Sequence, residues 1–240
     1  MELNQFLLYL SEWLGVIAVI WMASLRKSFK VKPLGFVYPR REGLVSLGLF
    51  ALIMAFAFYY SSSMAKPADP VGLLWQRMTV AGISALPFIL ALLIRGQPLR
   101  SAGWDRALLG PSFRIGLALA FLTIFLRGKI YSLIDGVTPV EINALLALAV
   151  ISLLEESIFR GYLQLRFSSW LGVRWGWLLA TLLFVLWQVP FVVAYPAKMP
   201  VILGVAAAQG LILGWLALKS GSVVAGIIYR TLSEWAGFLS

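Results

Sequence analysis

Apolar runs long enough to cross a bilayer limit this chain's fold more than any other feature. They fall near residues 6–25, 44–60, 78–94, 115–126, 142–160, 175–189, 201–218 and 223–239. A helix rising 1.5 Å per residue needs about 20 residues to traverse the hydrocarbon core. Within lipid the backbone must satisfy its own N–H and C=O groups, and helices do so segment by segment. A soluble domain of 240 residues has nowhere to hide this much greasy surface. The chain is 61% hydrophobic and 12% charged, against roughly 45–50% apolar in soluble domains. The expectation is an all-α, polytopic transmembrane helical bundle of about eight spans, with residues 1–240 forming a single membrane domain.

The formal net charge of +10 is arranged by loop. Alternate connections carry thirteen of the 20 basic residues: Arg26, Lys27, Lys30, Lys32, Arg40 and Arg41, then Arg95, Arg100, Arg106 and Arg114, then Arg166 and Arg174, then Lys219. The opposite connections carry five: Lys66, Arg77, Arg127, Lys129 and Lys198. Basic loops stay cytoplasmic, so with eight spans both termini lie outside. The excess reads as a topology signal and a contact with anionic lipid. No basic groove-reading module accompanies it, which excludes nucleic acid as the partner. The first run lacks a basic n-region and a small-residue cleavage site, so it reads as a retained helix rather than a signal peptide.

The composition includes no histidine and no cysteine. Disulfides and thiolate nucleophiles are therefore excluded. Zinc loses its usual nitrogen and sulfur ligands, leaving carboxylate-only sites for hard cations. No metal and no cofactor is expected.

Helix breakers punctuate the connections: Pro33 and Pro39 in the first, and Ser61, Ser62 and Ser63 followed by Pro67 and Pro70 in the second. Trp104 and Asp105 fall in a third that has room for a short interfacial helix. Most of the ten tryptophans, among them Trp13, Trp21, Trp75, Trp170, Trp175, Trp177 and Trp235, flank apolar runs as interfacial anchors. Gly204, Ala208, Gly210 and Gly214 would let another helix approach the seventh run closely. Thr138-Pro139-Val140-Glu141 has the features of a helix start.

Charge inside a membrane costs about 2.5–3.5 kcal/mol per residue on insertion scales, so it is normally paired and functional. Glu12 stands alone in the first run, near enough to its end to reach water. Glu155, Glu156, Arg160, Arg230 and Glu234 form two sets, with Glu156/Arg160 and Arg230/Glu234 each four residues apart on one helical face. Three acids and two bases leave one negative charge, which a proton on one carboxyl would cancel. Two uses fit equally well. A glutamate can act as general base toward a water, with a polar neighbour for an oxyanion. Alternatively, the two sets tie the fifth and eighth runs together as a buried ionic network.

Glu155-Glu156-x-x-x-Arg160-Gly161, followed by Tyr162 and Gln164, resembles the first motif of the CAAX-protease and bacteriocin-processing (CPBP, or Abi) family of membrane endopeptidases. The likeness covers residues 142–239. It implies that Glu155 stands where the family's water-activating glutamate does, with Glu156 as its partner and Arg160 as the motif arginine. Phe184 matches the phenylalanine of the second motif, but Gln188 takes the place of its histidine. Arg230 and Glu234 stand where the third motif has histidine and an amide or acid. A glutamine cannot accept a proton at any useful pH. An arginine in a dry site prefers a carboxylate. Losing a general base or acid costs roughly 10²–10⁴ in rate. The resemblance therefore implies a degenerate site: a multi-pass protein of a bacterial or archaeal cell membrane, acting as scaffold or accessory subunit with other membrane subunits or apolar cofactors. The alternative is an active endopeptidase using Glu155 and a water. A proton path or transporter is disfavoured, since paired Gly/Pro-broken helices in matching halves are absent.

Overall fold

The computed structural model describes residues 3–24, 35–63, 69–193 and 195–239, which are helical with short turns between, and no strand occurs among them. The order is α1 Leu3–Ser24, α2 Pro39–Ser63, α3 Pro70–Ile94, α4 Leu109–Leu126, the short α5 Ile130–Asp135, α6 Pro139–Glu156, α7 Gln164–Leu171, α8 Val173–Val192, α9 Met199–Ser220 and α10 Val224–Trp235. A π-helical segment, Ser157–Leu163, joins α6 to α7, so residues 139–171 form one rod. Two 3-10 turns, Leu99–Ala102 and Arg106–Leu108, lead into α4. Arg26, Lys27, Lys30, Lys32 and Pro33, and Lys66 and Pro67, lie outside the described residues.

Six of these helices are long and apolar enough to cross a membrane: 39–63, 70–94, 106–126, 139–171, 173–192 and 199–220. The chain is a multi-pass membrane protein. Two expected spans change. The fourth run lengthens, because Leu109 to Arg114 join its helix. The eighth shortens to a helix of 12 residues, which rises only about 18 Å. Its Ala225, Gly226, Tyr229, Arg230 and Ser233 are buried, with α4, α6 and α9 packed around it. Its polar residues need protein rather than lipid around them, and α10 runs inside the bundle alongside α4, from Val223, whose N–H donates to Gly103 O, to Ser233, whose carbonyl accepts from Arg127 just past the end of α4.

Local chemistry sets the helix starts. Thr138 and Glu141 form a reciprocal capping box, Glu141 N–H donating to Thr138 Oγ1 at 3.3 Å and Thr138 N–H to Glu141 Oε2 at 2.7 Å. Asp69 caps α3 by accepting from Gly72 N at 2.6 Å, with Pro70 at the first helical position. Gly221, in the left-handed region at φ +67°, ends α9 and allows the return into α10.

The core beside the π-helical segment is aromatic. Phe159 meets Phe50, Phe184 and Trp187 with ring centroids 6.3, 5.3 and 6.1 Å away, and Phe88 meets Tyr162 edge-on at 5.0 Å. Of the small residues expected in the seventh run, Gly210 and Gly214 do permit close packing: a Cβ would lie 2.9 Å from Thr181 Cγ2 and 2.5 Å from Trp177 Cδ1 respectively. Gly204 faces open space instead. The tryptophans also divide. Trp21, Trp75 and Trp175 are exposed as anchors would be, whereas Trp235 is buried and donates to Glu141 O at 2.8 Å. Trp170 packs over Gly43.

Candidate functional site

The two adjacent acids sit at the end of α6, immediately before the winding loosens. Glu155 and Glu156 have no exposure, and Arg160 is in the π-helical segment that follows. Short π-helical insertions inside α-helices frequently mark functional sites. Here the segment is wedged against the 99–103 turn. A Cβ on Gly161 would stand 2.1 Å from Ala102 O, so only glycine fits there.

Arg230 of α10 reaches across to α6. Its Nη2 donates to Glu155 Oε2 at 2.6 Å, its Nη1 to Glu156 Oε1 at 3.2 Å, and its Nε to Glu234 Oε1 at 2.7 Å. Arg160 Nη1 also lies 3.2 Å from Glu156 Oε1, an ion pair along one helix, and it does so without hydrogen-bond alignment. The Arg160 and Arg230 guanidinium carbons stand 4.0 and 5.2 Å from the centre of the Phe184 ring. Phe184 thus serves as a π-face for two cations.

The structure adds residues that the sequence pattern did not reveal. Arg77, read as a loop residue, belongs to α3. It grips Glu155 bidentately, Nε to Oε1 at 3.1 Å and Nη2 to Oε2 at 3.0 Å. Trp187 Nε1 donates to Glu155 Oε1 at 2.9 Å, and Gln209 Nε2 to Glu234 Oε1 at 3.0 Å. With Arg77, three acids face three arginines, so the expected surplus of one negative charge is absent. Gln188 stays outside this network. Its amide turns back toward Phe184 O on its own helix, at 3.5 Å.

A carboxylate offers about four lone-pair directions. Glu155 has four donors on it: two from Arg77, one from Trp187 and one from Arg230. No direction is left for a water. Glu156 keeps one oxygen, Oε2, without a hydrogen-bond partner among the described residues, but it is sealed. The nearest atoms to a Cβ on Gly226 would include that oxygen, at 3.1 Å.

A cavity of about 300 Å³ with a mixed polar and apolar lining lies beside the cluster. Its lining includes Glu234, Gln188, Gln209, Arg77, Arg127 and Glu12, but neither Glu155 nor Glu156. Glu234, about a quarter exposed, is the one acid of the three that faces it. Among the described residues, no group of three or more acidic side chains is arranged to hold a metal ion.

Two further ion clusters correct the sequence reading. Glu12 does not stand alone. It is buried against Arg127 at 2.8 Å, with Ser233 Oγ donating to it at 3.2 Å and Tyr229 OH at 3.4 Å. Arg166, assigned to a loop, is buried in α7 and donates to Glu42 at 3.1 Å, to Ser101 O at 3.0 Å and to Gln97. Arg95 joins it on Glu42.

Residues 139–236 match the family described as Type II CAAX prenyl endopeptidase Rce1-like. This stretch is similar to the Rce1-like domains of the CPBP family. No curated protein and no solved structure matches the chain. The Rce1-like stretch begins at the capped N-terminus of α6 and ends just after α10. It thus contains Glu155, Glu156, Arg160, Gln188, Arg230 and Glu234, the residues expected from the motifs. Arg77, which completes the charge balance, lies outside it.

Proposed function

We propose that this protein is a non-hydrolytic member of its family, a membrane scaffold or accessory subunit whose former catalytic acids serve as an interhelical tie. The observation that carries this reading is the saturation of Glu155 by four donors. A general base must have a lone pair directed at the water it activates, within about 2.6–3.2 Å. Glu155 would have to release Arg77, Trp187 or Arg230 first. Removing one partner from a buried ion pair costs about 3–5 kcal/mol. Gln188 adds to the case, since it lines the cavity with a side chain that does not titrate, where proton transfer needs a titrating group.

The sealed cluster ties α3, α6 and α10, while the cavity of about 300 Å³ remains beside it. A scaffold of this kind keeps the cavity for binding and gives up the chemistry. The cavity's lining, glutamates, arginines and glutamines on one side and Trp13, Ile202, Val205 and Ile212 beside them, suits an amphipathic segment of a partner chain.

The test is a cleavage assay on purified protein with prenylated and unprenylated peptides, alongside Glu155→Gln. Equal background for both proteins is expected. Turnover by the wild type that the variant loses would establish the peptidase reading instead, with Glu155 and a water doing the work.

A further inference from the structure

The residues lining the cavity beside the charged cluster place it toward one end of the bundle. Arg127 follows the last residue of α4, Gly237 lies just past α10, and Ile202 and Val205 belong to the first two turns of α9. Arg77, two turns into α3, and Gln209, midway along α9, mark its depth. Among the described residues, none from the first turns of α4, α8 and α10 or the last two turns of α9 lines it. On the far side of the cluster the chain is packed shut. Gly161 presses on the Ala102 carbonyl, Val223 N–H donates to Gly103 O at 3.1 Å, and Arg166 donates to Ser101 O at 3.0 Å. A pocket of about 20 Å³ on that side has room for about one water. Neither it nor the cleft of about 220 Å³ between α3 and α6 shares a lining residue with the cavity.

Charge tells the two ends apart. The six long helices alternate in direction, which puts the starts of α2, α4 and α8 and the ends of α3, the 139–171 rod and α9 on one face. Arg40, Arg41, Arg100, Arg106, Arg114 and Arg174 are exposed at that face. The described connections on the opposite face hold Lys198 and Lys129, and Lys129 Nζ is spent on Leu239 O at 2.6 Å. Arg77 and Arg127, which counted toward that face in the linear pattern, are held in ion pairs. Arg95 and Arg166 are likewise paired with Glu42 on the basic face, and the six exposed arginines remain. Basic connections stay on the cytoplasmic side. The cavity lies toward the other one.

We propose that the cavity opens to the non-cytoplasmic side of the membrane and takes its partner segment from there. The side of entry stands on helix ends and charge alone. That the entrant is a partner segment rests on the scaffold reading above. The consequence is a restriction on the partner: it is a membrane or exported protein with an amphipathic stretch on the non-cytoplasmic face. A chain confined to the cytoplasm cannot reach Gln188, Gln209 and Glu234.

The chain has no cysteine, so single introduced thiols report without background. Ile202→Cys and Val205→Cys each place one on the cavity wall, Lys198→Cys marks the non-cytoplasmic face and Arg106→Cys the basic face. Spheroplasts and inverted membrane vesicles from the same expressing cells are treated with a small, membrane-impermeant sulfonated methanethiosulfonate, and the adduct is read by intact mass. Both cavity thiols should label in spheroplasts together with Lys198→Cys. In inverted vesicles their labelling should be lost, while Arg106→Cys reacts. Cavity thiols that react only in inverted vesicles would overturn the side of entry. Labelling from both faces would overturn it too, since the cavity would then be a through passage, and thiols silent in both preparations would overturn the opening itself. The cleavage assay on purified protein is blind to sidedness. Turnover there would remove the scaffold reading and leave the side of entry intact, whereas reversed labelling would do the opposite.

Discussion

Replacing Arg230 with leucine is the most demanding perturbation of the charged cluster. The change removes three hydrogen bonds to three acids in one step. Glu155 keeps Arg77 and Trp187, and Glu156 keeps Arg160, but Glu234 is left with Gln209 alone. The cluster falls from three cations against three acids to two against three. Glu234 faces the cavity, but Glu155 and Glu156 are fully buried and their lost hydrogen bonds cannot be replaced by water. Breaking a buried pair on one side costs about 3–5 kcal/mol. For a chain of this length each kcal/mol shifts melting by about 2–4 °C, so a loss of roughly 6–20 °C is expected. Arg230→Leu combined with Glu234→Leu restores equal numbers of acids and bases and should recover a good part of the loss, with a coupling of about 0.5–3 kcal/mol. Thermal unfolding in one detergent, followed by tryptophan emission, reads all three proteins. Melting of Arg230→Leu within about 2 °C of wild type would refute the tie, and so would a double variant no more stable than the single one.

Other outcomes follow from the same contacts. Arg77→Gln removes a bidentate grip on Glu155 from a side chain still a quarter exposed; a loss of about 1.5–3 kcal/mol is expected in the same melting assay. Gly161→Ala drives a Cβ into the Ala102 carbonyl, and poor expression or a loss of about 1–3 kcal/mol is expected, whereas Gly204→Ala, facing open space, should leave melting unchanged. Glu42→Gln leaves buried Arg166 without its carboxylate, so a loss of about 3–5 kcal/mol is expected by thermal unfolding. A reporter fused after residue 240 should read as non-cytoplasmic, and a cytoplasmic signal would reverse the orientation drawn from the basic loops.

The sequence made the helical bundle legible because hydropathy reports burial in lipid directly, and the apolar runs coincide with the helices that form. The four-residue spacings of Glu156/Arg160 and Arg230/Glu234 were equally readable, since both are local and both appear as ion pairs. What escaped notice was long-range. Arg77 meets Glu155 across 78 positions and Glu12 meets Arg127 across 115. Nothing in a linear pattern separates such an arginine from one that flanks a loop. Arg166 and Glu42 escaped for the same reason, and both looked like ordinary members of basic connections. The ends of α10 were misjudged because average hydropathy runs on through the turns that flank the helix at Val224 and Trp235. The π-helical segment has no sequence signal of its own, although Gly161 in the motif is explained once the Ala102 carbonyl is seen against it.

Carboxyl footprinting by carbodiimide coupling and mass spectrometry probes most directly whether the twin acids of α6 are closed to water. In the native protein Glu234, which faces the cavity, should label, while Glu155 and Glu156 stay unmodified; Arg230→Leu should expose Glu155 to the reagent. Labelling of Glu155 as fast as Glu234 in the wild type would mean an open, wet acid and would contradict the account.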